Sequence, residues 1–186
     1  MRFDASDYAE LLGLYLGDGH IVHFARTWRF RLYLDSRYGG IVQESKALLE
    51  RCFEHNRVSQ VLAHEGRMTV LNVYASHLCC LFPQHGSGKK HHRPILLETW
   101  QQAAIDQAPW HFLRGCIRSD GCTYINRTGP YEYLSYQFSN RSTDILDLFA
   151  RSCRALGIEY RRYATEIRVY RRASVALLEA NVGIKR

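Results

Sequence analysis

A chain of 186 residues can bury one good core, or two small halves that share one, but not several independent domains. Lys and Arg total 25 against 18 acids, a formal charge of +7 and a pI near 9.2. That excess suits a polyanionic partner, and because most of it is Arg it offers planar forks that can grip phosphate or a guanine edge with two bonds.

No apolar run approaches the ~20 residues that a helical membrane span requires. Walker A loops, G-x-S-x-G elbows and G-x-G-x-x-G fingerprints are also absent, which removes several common nucleotide and hydrolase chemistries. The six cysteines form no C-x-x-C pair and follow no signal peptide, so they read as reduced thiols of a protein that is not secreted, in a bacterial or phage-like cytoplasm or an organelle. Cys79 and Cys80, flanked by Leu78 and Leu81, read as buried in an apolar helix. The histidines at 20, 23, 85, 91 and 92 include no pair spaced as a structural zinc site requires.

Taken in order, Asp7 and Glu10 read as a capping box that opens a helix over 7–17. The period then changes to two. Trp28, Phe30, Leu32 and Leu34 share one side of a strand over 27–35, Arg29, Arg31, Tyr33 and Asp35 the other, and a shorter strand over 20–25 pairs with it. A helix over 41–53 lies across the back of this sheet. A second hairpin over 57–64 and 68–74 turns at Glu65-Gly66, and a short helix over 77–82 stops at Pro83.

The polar stretch 84–93 is a loop and the exit from a first half, 1–93. The second half, 94–186, opens with a helix over 94–105, and Pro109 starts another that covers 110–119. Strands over 122–127 and 131–139 pair across Thr128-Gly129-Pro130, with Leu134, Tyr136 and Phe138 alternating with Tyr133, Ser135 and Gln137. The helix over 142–156 has a Ser cap and a Gly stop, and a hairpin over 159–163 and 165–172 precedes a closing helix over 173–180. One order of elements therefore occurs twice, which predicts an α+β fold of two pseudo-symmetric αββαββα halves with antiparallel sheets.

The same doubling occurs at the level of a motif. Residues 11–19 read LLGLYLGDG and residues 113–121 read LRGCIRSDG. Each copy has apolar residues at helical spacing, a Gly where a Cβ would keep a neighbouring backbone away, and an Asp-Gly pair where the helix stops.

This pattern resembles the signature of the LAGLIDADG homing endonucleases, in the form where one chain carries both motifs. The resemblance implies that the motif helices pack side by side on a pseudo-two-fold axis, that the sheets form a saddle on double-stranded DNA, and that Asp18 and Asp120 bind divalent metal there. The acid that the family has at the sixth place is replaced by Leu16 and Arg118. By the same resemblance, two or three Mg²⁺ ions are shared between the motifs, the carbonyls of Gly17 and Ser119 complete their ligands, and a Lys beside each site polarises the attacking water. Lys90 and Lys185 suit that role, because Gly88-Lys89-Lys90 and Gly183-Ile184-Lys185 recur at nearly the motif spacing. Lys89 can replace Lys90, or grip phosphate from the same loop.

Chemistry agrees with this reading. Phosphodiester hydrolysis needs stabilised charge on the attacking and leaving oxygens, which carboxylate-held metal supplies, and a few hard oxygen ligands favour Mg²⁺. A two-stranded ribbon fits the major groove. The outward residues that would contact DNA are Arg29, Arg31, Tyr33 and Asp35 in the first half and Tyr133, Ser135, Gln137, Arg161, Arg168, Tyr170 and Arg172 in the second. The expected activity is site-specific cleavage of both DNA strands by a monomer that needs no protein partner. The rival readings on this fold are a cleavage-free DNA-binding regulator and an RNA-splicing maturase.

Overall fold

The computed structural model describes residues 4–185. Helix α1 (Ala5–Asp18) leads into β1 (Gly19–Phe24) and β2 (Thr27–Asp35), followed by α2 (Gly39–Cys52), β3 (Ser59–Ala63), β4 (Met68–Ala75) and the single turn α3 (Leu78–Leu81). A 3₁₀ turn over Lys90–His92 precedes α4 (Thr99–Gln107), α5 (Pro109–Arg118), β5 (Gly121–Thr128) and β6 (Tyr131–Ser139). The chain closes with α6 (Thr143–Ala155), β7 (Arg161–Arg162), β8 (Glu166–Val169) and α7 (Arg172–Asn181). Two antiparallel four-stranded sheets result, ordered β1-β2-β4-β3 and β5-β6-β8-β7. The same connectivity in both is the repeat that the sequence carries. Among the described residues no helix is long and apolar enough to cross a membrane.

The alternation of β2 decides which side of its sheet is buried: Phe30, Leu32 and Leu34 enter the core while Arg29, Arg31 and Tyr33 stay half exposed. In β6, Tyr136 and Phe138 do the same, and Phe138 stacks on Phe149 of α6 at 4.5 Å. Helix α2 packs on β2 and β4, so the outer sheet faces remain uncovered by helix on that side.

Several local readings change. Helix α1 is capped by Asp4, whose carboxylate accepts from the Ser6 and Asp7 amides. Asp7 is inside the first turn and pairs with Arg51 of α2 at 2.7 Å, so an acid that reads as a cap is a tether. The segment 94–98 is not helical: the Ile95 amide donates to Asp144 of α6 at 2.7 Å, and a capping box of Glu98 and Gln101 delays α4 to Thr99. Cys79 and Cys80 are not buried, because α3 is one turn long and only its Leu78 faces inward. The last hairpin is shorter than its alternation suggests, so Tyr170 lies past β8 and Arg172 belongs to α7.

The core is organised by the contact between α1 and α5, the two motif helices. A Cβ on Gly13 would stand 2.6 Å from the Phe112 carbonyl oxygen and 2.9 Å from the Cys116 nitrogen, and a Cβ on Gly115 would stand 2.2 Å from the Glu10 carbonyl oxygen. Backbone meets backbone there, which only glycine permits. The glycines after the motif acids do not act as left-handed helix stops. Gly19 has φ −83°, and its Cβ would strike Tyr15 Cα at 2.5 Å, while that of Gly121 would strike Ile117 Cα at 2.6 Å. Glycine is required because the chain folds back against the last helical turn.

Glu10, 5% exposed, is the acid inside this contact. It pairs with Arg118 and with Arg114 at 3.6 Å, and Arg118 also pairs with Glu44 of α2. A second polar cluster ties α1 to the linker. The Tyr8 hydroxyl donates to the Leu81 carbonyl at 2.7 Å and accepts from Gln101 at 2.7 Å, and Gln84 donates to Gln101 at 2.6 Å.

Because the atoms opposing Gly13 and Gly115 are backbone, Gly13→Ala and Gly115→Ala should each cost about 3 kcal/mol or more in denaturant unfolding. Gly40→Ala in the first turn of α2, where nothing lies within 4 Å of the added carbon, should instead raise stability by roughly 0.5–1 kcal/mol. Equal unfolding midpoints for all three would remove the close-contact argument.

Candidate active site

The α1–α5 contact carries both motif acids to one place. At the helix ends a Cβ on Gly17 would lie 2.2 Å from Ser119 Oγ and 3.3 Å from Asp120 Cγ, so the last turns of the two motifs touch. Burial, then the charge of Asp120, pushes the Asp18 carboxyl up to about 7, against the opposing pull of Lys185 and Lys90. Asp120 is also raised by burial, and Lys90, a hydrogen bond from Asn140 and Lys185 pull it back.

Two lysines enter symmetrically. Lys90 Nζ donates to the carbonyls of Tyr15, Gly17 at 3.1 Å and Gly19 at 2.6 Å, and stands 4.8 Å from the Tyr15 ring centre. Lys185 Nζ donates to the Ser119 carbonyl at 2.5 Å and lies over the Tyr38 ring at 5.4 Å. Each therefore holds the carbonyl that immediately precedes a motif acid. Burial lowers both ammoniums, Lys90 to about 8. Lys89 is exposed on the rim of the same cleft, so of the two adjacent lysines it is Lys90 that reaches the backbone of the first motif.

Two further groups escape a linear reading. Asn140, between β6 and α6, donates its Nδ2 to Asp120 Oδ2 at 2.7 Å, while its Oδ1 accepts from the Ser142 amide at 2.8 Å. In the sequence it reads only as a turn residue before a helix cap, and nothing local links it to Asp120. Arg93 donates to the carbonyls of Gln84, Ser87 and Gly88 at 3.1–3.2 Å, which fixes the loop that presents Lys90. The cleft beside Asp120 has a volume of about 650 Å³, and Lys89, Lys90, His91, Arg93 and Arg141 make its lining basic.

Among the described residues no group of three or more His, Cys, Asp or Glu side chains could hold a metal. The fit of a hard divalent cation rests instead on the oxygens of Asp18 and Asp120 and on the carbonyls of Gly17 and Ser119, which here accept from Lys90 and Lys185. Two crowded, desolvated carboxyls, one of them driven up to about 7, are the environment that added positive charge relieves. The donors fit such an ion.

The sheet residues divide. Arg29, Arg31 and Tyr33 on β2, Tyr133 on β6, Arg161 on β7 and Arg168 on β8 are exposed or half exposed, and Tyr170 is exposed beyond the strand end. Ser135 is fully buried and cannot meet a base edge in this conformation. Gln137 is held by Ser139 and Glu166, and Asp35 by a two-pronged pair with Arg37. Arg172, in α7, leaves the strand face altogether.

No protein-family profile and no curated protein matches the sequence. Solved structures do match. I-DmoI in complex with DNA and Mn superposes with a TM-score of 0.66 at 14% identity, over 97% of this chain and 98% of that one. The meganuclease I-AabMI bound to uncleaved DNA gives 0.56 at 9% identity, over 93% and 82%. Full-length DUF199/WhiA from Thermatoga maritima gives 0.62 at 14% identity, covering all of this chain, which spans 58% of the WhiA chain. The chain thus has the LAGLIDADG fold, with both motifs in one polypeptide.

Crowding of the carboxyls has a sign that can be measured. Asp18 holds its proton more tightly folded, at about 7, than unfolded, near 3.8, so its contribution to stability falls as pH rises between those values. Asp18→Asn should therefore raise the metal-free melting temperature above pH 7 and lose that advantage toward pH 4. A pH-independent difference would place the acid in water rather than beside Asp120.

Proposed function

We propose that the chain is a site-specific double-stranded DNA endonuclease acting as a monomer, with halves 1–93 and 94–186 that each supply one acid, one lysine and one sheet. The observation that carries this reading is the convergence of Asp18 and Asp120, with Lys90 and Lys185 on the carbonyls beside them.

Asp18, Asp120 and the carbonyls of Gly17 and Ser119 would hold Mg²⁺, which when bound supplies charge stabilisation for the attacking and leaving oxygens. Asn140 keeps the Asp120 carboxylate in one orientation. Lys90, lowered to about 8, is a proton donor and acceptor near neutral pH. For the first half, Arg93 keeps the Lys90 loop closed on the motif, so the ammonium is in place before substrate arrives. The outer sheet faces would lie in the major groove and select the site. The I-DmoI and I-AabMI structures, both in complex with DNA, support this use of the fold.

Binding without cleavage is a second reading, favoured by the way Lys90 and Lys185 already occupy the Gly17 and Ser119 carbonyls. The two separate in one experiment. With a selected duplex and Mg²⁺, wild type should cut both strands, and Asp18→Asn and Asp120→Asn should each nick or not cut while binding survives. Cutting by both variants at the wild-type rate would remove the catalytic assignment, and binding without cutting by wild type would select the second reading. Affinity should also fall steeply with salt, by about a thousandfold or more between roughly 50 and 200 mM if six or more phosphates are gripped. A flat response would exclude a DNA interface.

A further inference from the structure

Three arginines on the outer sheet faces are held in one common way. The Arg29 guanidinium lies 4.9 Å from the Phe24 ring centre, that of Arg31 4.9 Å from Tyr33, and that of Arg168 5.1 Å from Tyr163. Each Nε is buried without an acceptor. Arg168 gives one Nη to Glu166 at 2.6 Å, whereas Arg29 and Arg31 have no hydrogen-bond acceptor among the described residues.

An Nε turned inward leaves the two Nη atoms as the outward edge, and the ring beneath limits the rotamers of the fork. An unpaired buried N–H is a cost to folding, so the fold alone gives no reason to park two arginines this way. A planar fork displayed end-on is the donor pair that matches O6 and N7 of guanine in the major groove.

Spacing turns this into a pattern. Arg29 and Arg31 are two residues apart on one face of β2, about 6.6–6.8 Å along the strand, and a duplex rises about 3.4 Å per base step. Laid along the groove, their forks would meet base pairs two steps apart. The second sheet has one arginine so held, Arg168 on β8, but no pair at the equivalent positions of β6. The registers Gly19↔Leu32 and Gly121↔Phe138 place Arg31 opposite Gln137 in the repeat, and Arg29 opposite Ser135. Gln137 is occupied by Ser139 and Glu166, and Ser135 is buried.

We infer that the half-site under the first sheet carries two guanines, on the same strand or on opposite strands, two base steps apart and read by Arg29 and Arg31, with no matching pair under the second sheet. The target is asymmetric for that reason. This inference rests on the duplex-DNA reading above and names the sequence element that reading lacks.

The test is selection of bound duplexes from a fully randomised library by the full chain in Ca²⁺, repeated with Arg29→Lys and Arg31→Lys, which keep the charge and remove the fork. Wild type should enrich two guanines two steps apart on one side of the site only. Each variant should lose preference at one of them by roughly 10- to 100-fold and keep the other. Circular dichroism of each variant confirms that the sheets are intact. Enriched sites without such a pair, or variants that select the same guanines as wild type, would overturn the inference while leaving DNA binding standing. Retention of no duplex at all would remove both.

Discussion

The distance between two helix backbones governs this molecule. At Gly13 and Gly115 the helices α1 and α5 touch without side chains between them, and every other feature of the centre inherits its position from that contact. If a methyl group stood at either position, the helix ends would separate and the acids beyond them would no longer share one environment. The contact also explains why both halves are needed. Each sheet packs on its own helices, but the most extensive packing of α1 and of α5 is against each other.

What converges at the helix ends is charge, and its balance is close. Two carboxylates repel, two ammoniums attract, and all four are largely removed from water. Neither pair would be stable alone at that depth. Together they hold a cluster whose members face backbone carbonyls and a basic cleft. Arg93 and Asn140 keep the cluster rigid from outside it.

The sequence made the periodic parts legible and left the convergent parts hidden. Strands β2 and β6 could be bounded to the residue, because alternation with a hairpin turn on one side admits a single register. The motif glycines and acids were legible because they occur twice. Caps were harder: Asp4 and Asp7 both precede apolar turns, and only Arg51, far along the chain, decides which one is the tether. The end of the last hairpin is hidden for a related reason, since Tyr170 and Arg172 continue the outward alternation of Glu166 and Arg168 while the backbone has turned into α7. Asn140 and the Glu10–Arg118–Glu44 group depend on tertiary contacts that no local pattern announces.

That last group makes the repeat directional. Arg118 stands at the place filled by buried Leu16 in the other motif, and Glu10 corresponds to Phe112. Two copies of the first segment would bring Glu10 against an aliphatic partner with no counter-charge, and two copies of the second would strand Arg118 beside phenylalanine. Severed and mixed, the segments can therefore satisfy their buried ions only as a mismatched pair, which makes this ion triad a key that forbids self-pairing.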